Sequence, residues 1–158
     1  MSPPLKRSRP RVLVFGYGNP GRQDDGAGPA VAEALERMGL PDVTVWINDQ
    51  LTIEDSIAIA TADVVCFVDA ARTGRAGIAV HPVQAAETVE VASHALSPEA
   101  LLAIARDHFG AVPPAYMVAL RGHRFGLGEG LSPRVAANVA VAAGLIRRGV
   151  VMAADTPA

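Results

Sequence analysis

The chain has 158 residues, half of them hydrophobic and only 4% aromatic, with a formal charge of −2. That length fits one domain and excludes separate cofactor and substrate lobes, while the aliphatic bias predicts a finely packed core rather than disorder. The charge balance lacks the phosphate-neutralising stripe that a nucleic-acid partner requires, and charged or turn residues interrupt every apolar run before membrane-spanning length.

In chain order, residues 1–10 read as a flexible, Pro-rich basic tail without the apolar stretch of a signal peptide, ahead of a domain over 11–152 and a short tail over 153–158. The run RVLVF (11–15) predicts a buried first strand, closed by the turn-rich GYGNPG. GPAVAEALERMG (28–39) predicts a helix with Val31, Leu35 and Met38 inward and Gly39 as its stop. A β-branched strand follows at 43–47, then a helix over 50–62 with Ile53, Ile57 and Ala60 on one face. DVVCFVD (63–69) reads as a central parallel strand. Its lone cysteine, Cys66, is expected to be buried and inert, and a chain with one Cys forms no internal disulfide, which fits the cytoplasm. Shorter strands are predicted at 77–83 and 87–93, a helix capped by Ser97-Pro98 over 97–110, a strand at 115–120, and a last helix opened by Ser132-Pro133. The alternation predicts an α/β fold: a single-domain, three-layer α/β/α sandwich around a mostly parallel twisted sheet.

In such sheets the chemistry lies beyond the carboxyl ends of the strands. Three polar positions meet that condition: Asp25 in the loop after the first strand, Asp69 after VVCFV, and His94 before the Ser97 helix start. Two carboxylates and an imidazole form an N/O set suited to a divalent transition metal. If Asp25 and Asp69 approach closely, like-charge coupling makes an aspartic-type dyad the other arrangement they allow. His81 and His123 are reserve cleft candidates. The loop Gly16-Tyr17-Gly18-Asn19-Pro20-Gly21 also satisfies GxGxxG, but the insertion carrying Asp24 and Asp25 puts negative charge where a pyrophosphate needs the opposite. Dinucleotide binding is therefore the weaker alternative. No GxSxG or HExxH occurs.

The loop GYGNPGRQDDGAGP (16–29), FVDAARTG (67–74), SHALSPEALLAIA (93–105) and FGLGEGLSP (125–133) together resemble the nickel-iron hydrogenase maturation endopeptidases, in the branch serving soluble cytoplasmic hydrogenases. The resemblance spans about residues 11–148 and implies a peptidase that removes the C-terminal extension of the hydrogenase large-subunit precursor after nickel insertion. It further implies that Asp25, Asp69 and His94 recognise nickel carried by that precursor, with Asp25 standing where some members have Glu, and that no permanent cofactor is needed. Gly16, Gly18 and Gly26 would shape the loop, with Asn19 and Asp24 in support. A cytoplasmic monomer is expected, and a non-proteolytic assembly chaperone is the main alternative.

Overall fold

Strand β1 (Val12–Tyr17) is buried along nearly its whole length because it is an interior strand, paired on both sides, of a five-stranded sheet. The structure is a computed structural model and describes residues 9–89 and 96–152. The strand order is β2-β1-β3-β5-β4, with β2 Val43–Asn48, β3 Val64–Ala71, β4 Ile78–Val83 and β5 Ala115–Arg121. β1 pairs in parallel with β2 and β3, and β3 with β5; β4 runs antiparallel at the edge, where Pro82 is tolerated.

Alternation along the strands makes two cores. Val12, Val14, Cys66, Val68, Val118 and Leu120 face α1 (Ala27–Arg37) and α4 (Pro133–Ile146). Leu13, Phe15, Val65 and Phe67 face α2 (Asp55–Thr61) and α3 (Pro98–Phe109), with Phe15 and Phe67 stacked at 5.6 Å. Each fully buried ring contributes about 2–3 kcal/mol of transfer free energy. The expected α/β/α sandwich is what forms.

Several local expectations shift. The α1 register holds at Val31 and Leu35, but the helix ends at Arg37 and Met38 is 42% exposed. Gly39, at φ 60, takes the left-handed turn that follows. α2 is shorter than expected and turned differently: Leu51, Ser56 and Ile59 point inward, whereas Ile53 and Ile57 are more than half exposed. The Asp55 carboxylate accepts the Thr52 amide at 2.8 Å, which fixes the entry turn and with it the phase of the helix. Residues 87–89 form no strand, and Arg106 of α3 donates to the carbonyls of Ala86 and Glu87 there; the remainder of that predicted strand lies outside the described residues. Ser97 caps α3 by accepting the Ala100 amide at 3.1 Å, and Gly110 closes it at φ 67.

Candidate active site

The site begins as one more rung of the Phe15–Phe67 ladder. These two residues are register partners on adjacent parallel strands. The next side chains on the same face are Tyr17 and Asp69, at the carboxyl ends of β1 and β3. The apolar ladder therefore ends in a phenol facing a carboxyl, and the two interact through the Tyr17 hydroxyl. Ala70 donates its amide to Asp69 Oδ1 at 2.8 Å.

Burial is the main force on Asp69 and pushes its carboxyl up to about 6. The Ala70 amide opposes that shift, the charge of Asp25 adds to it, and the Tyr17 hydroxyl again opposes it. Tyr17 is itself driven well above the ordinary phenol range, first by burial and then by the negative charge of Asp69. The influence of Asp25 on Asp69 places the two predicted acids at one site.

What aims Asp25 is steric. The first turn of α1 sits directly on the ends of β1 and β3, so a Cβ on Gly28 would collide with the carbonyl oxygens of Val68 and Tyr17. Gly18, at φ +140, lets the loop double back until its Cα passes against the Asp25 carbonyl, leaving no room for a side chain. Gly16 and Gly26 are packed in the same way, against Ala32 and Pro20. Asp25 Oδ2 then accepts the Asn19 amide at 2.8 Å, and Asn19 Oδ1 accepts the Gly21 amide at 2.9 Å. The expected supporting role of Asn19 is thus a turn bond.

Asp24 does more than support its neighbour. It is fully buried on the 3-10 turn Gln23–Gly26 and accepts four hydrogen bonds: from the amides of His123, Arg124 and Ser132 and from Ser132 Oγ, at 2.7–2.9 Å. Burial alone would raise its carboxyl, but these donors outweigh it and hold the group below the usual carboxylate range. Ser132 precedes α4 as predicted, yet its hydroxyl serves Asp24 instead of capping the helix. Gln23 completes the clasp: its amide reaches the Gly128 carbonyl, and its side chain accepts the Gly126 amide at 3.0 Å.

The same bonds answer the dinucleotide alternative. The amides of Gly18, Asn19, Gly21, Arg22, Gln23, Asp24 and Asp25 already donate within the protein. A pyrophosphate would find these donors taken and two carboxylates beside them.

The other candidates divide clearly. His94 lies outside the described residues. His81 is exposed on edge strand β4 opposite Met117, below the strand ends and two strands from Asp69. His123 is exposed and belongs to the loop held by Asp24, beside a cavity of about 400 Å³ that it lines with Arg124, Ser132, Pro133 and Arg134. Sequence reasoning missed Tyr17; strand alternation from Phe15 was the signal that could have found it. Cys66 is buried as expected, and burial pushes its thiol up to about 12.

No protein-family model and no curated protein matches the chain. Solved structures do. A [NiFe] hydrogenase maturation protease, HycI from Thermococcus kodakarensis KOD1, is 26% identical with a TM-score of 0.69, over 89% of this chain and 92% of that one. An endopeptidase from Escherichia coli is 25% identical with a TM-score of 0.68, over 89% and 94%. The hydrogenase maturating endopeptidase HybD from E. coli, at 22% identity and a TM-score of 0.73 over 90% and 93%, shares the fold. The class so defined is a single-domain α/β peptidase. Within it, the chain is similar to the nickel-iron hydrogenase maturation endopeptidases, the family that its loop motifs resemble.

Proposed function

We propose that this protein removes the C-terminal extension of a nickel-iron hydrogenase large-subunit precursor once nickel has been inserted, and that Asp25, Asp69 and His94 recognise the precursor-held nickel. The observation that carries this reading is the convergence of Asp25 and Asp69 at the adjacent carboxyl ends of β1 and β3. Two carboxylates held near each other repel, and a divalent cation relieves that repulsion while releasing the proton that Asp69 retains up to about pH 6. His94 supplies the nitrogen donor from the segment just ahead of α3. That helix packs on the same face of the sheet as Phe15, Phe67 and Tyr17.

Nickel is here part of the substrate. Its docking would set the scissile peptide against the site and polarise the carbonyl or activate water. The enzyme then needs no resident cofactor, and it would act as a cytoplasmic monomer. Tyr17 and Ala70 hold the Asp69 carboxyl in place, and the Gly18–Asp25 fold-back holds the other.

The test is cleavage of nickel-loaded and nickel-free precursor, followed by intact mass. The wild type should shorten only the loaded form, and Asp25→Ala, Asp69→Ala and His94→Ala should each slow cleavage by about a hundredfold or more. Full cleavage of the metal-free precursor by all three variants would sink the reading. Binding of the precursor without any loss of mass would instead establish an assembly chaperone.

A further inference from the structure

The arginines of this chain are unevenly placed. Of its fourteen basic residues, six (Arg22, Arg72, Arg75, Arg121, Arg124 and Arg134) fall at the end of β5, on the loops or at the helix start on the side of the sheet where Asp25 and Asp69 lie. Among the described residues the ion pair that forms is Arg106–Asp107, on α3. Arg72 lies over the Phe125 ring at 4.2 Å, and Arg121 donates to the carbonyls of Gly74 and Gly122, so both are occupied within the protein. Arg124 and Arg134 differ. They are exposed, and with His123 they line the cavity of about 400 Å³ between the 121–124 loop and the start of α4.

The helix terminus does not explain this cavity. Asp24 already places a buried carboxylate against the Ser132 amide at 2.7 Å, so the α4 end has its own internal anion. What remains facing solvent is two guanidinium groups and an imidazole from two separate segments, with no acid among the described lining residues. Guanidinium groups bind carboxylates through paired, charge-assisted hydrogen bonds. The wall of the cavity is also the far side of the site loop, because the amides of His123, Arg124 and Ser132 that Asp24 ties down are those of its lining residues. The cavity wall is thus tied through Asp24 to the turn that carries Asp25.

We propose that His123, Arg124 and Arg134 form a carboxylate-binding subsite that holds an acidic group of the polypeptide substrate next to the Asp25–Asp69 centre. The inference rests on the peptidase reading for its substrate, but the binding chemistry stands on the cavity itself. Two sources present a carboxylate: acidic side chains of the bound segment, or the free terminus of its chain.

The test is fluorescence anisotropy with labelled peptides on the full chain: amidated hexaglutamate for side chains, hexaglutamine with a free terminus for the chain end, and amidated hexaglutamine as the uncharged control. Binding of either charged peptide above the control, weakened about tenfold in Arg124→Gln/Arg134→Gln and reduced by added salt, supports the subsite and identifies its source. An unchanged affinity in that variant, or no binding of either charged peptide, overturns it. Arg147→Gln/Arg148→Gln, at the far end of α4, should bind like wild type, and thermal melts check that every variant is folded. With nickel-loaded precursor, the Arg124/Arg134 variant should raise KM about tenfold and leave kcat within twofold. A wild type that binds the peptides yet never cleaves the precursor would remove the peptidase reading and leave the subsite standing.

Discussion

Asp24 and Asp69 are held 45 positions apart in sequence at the same end of the sheet, and their surroundings push them in opposite directions. Asp24 is surrounded by donors, so its carboxylate is favoured in the fold. A depressed carboxyl contributes stability above its unfolded value near 3.9, and loses it as pH falls through the folded value. Asp69 has one close amide donor, a phenol and a neighbouring negative charge, and its carboxyl rises to about 6. The sign is then reversed: folding prefers the protonated acid, and stability falls as pH climbs from about 4 to about 6. Urea unfolding at pH 3.5, 5.5 and 7.5 should separate the two. Asp24→Asn turns an amide NH₂ or a weaker acceptor toward four donors and should cost about 3 kcal/mol at pH 7.5, with the deficit shrinking at pH 3.5. Asp69→Asn should gain about 2 kcal/mol at pH 7.5, allowing for its partial exposure, and little at pH 3.5, while abolishing precursor cleavage. A loss of stability at pH 7.5 in Asp69→Asn comparable to that in Asp24→Asn would contradict this account.

At the scale of elements, close packing of α1 against two strand ends is what converts a glycine-rich loop into an aimed carboxylate. Gly28→Ala should therefore destabilise the protein by about 2–3 kcal/mol by urea titration, because the added methyl meets backbone oxygens that cannot swing aside. It should also cut precursor cleavage further than that loss of stability explains, since Asp25 moves with the helix start. Gly149→Ala, with open space around its Cβ, should change stability by less than about 1 kcal/mol and leave cleavage intact. Equal effects of the two substitutions would remove the steric argument. Helix starts were legible in the chain where their cause was local: Ser97 caps within three residues of itself. Ser132 carries the same Ser-Pro signature, but its hydroxyl is claimed by a carboxylate 108 positions earlier. The inward face of α2 was misread for a related reason: Ile53 and Ile57 have the apolar spacing, yet Asp55 fixes the entry turn and rotates them outward.

Across the whole molecule, a mostly parallel sheet covered on both faces made the fold and half of the candidate site readable. Continuous apolar runs identified β1 and β3, and the rule that chemistry gathers at strand ends brought Asp25 and Asp69 to one edge. The tether from Asp24 to the 123–132 loop was not readable, because nothing in either segment marks the other as its partner. β3 lies at the centre of this arrangement, with Val65 and Phe67 in one core and Cys66 and Val68 in the other. Exposing Cys66 thus requires the sheet to part from α1 and α4, and its buried thiol, raised to about 12, has almost no reactive thiolate in the native state. Its reaction with a disulfide reagent should report global opening: negligible in native buffer, and rising with urea at the slope of equilibrium unfolding. Because Asp24→Asn lowers stability without touching that core, it should accelerate Cys66 labelling by about a hundredfold, the factor that corresponds to about 3 kcal/mol. Labelling at the wild-type rate in this variant would mean that β3 becomes accessible by a local opening, and that the clasp between the two loops is energetically separate from the sheet it closes.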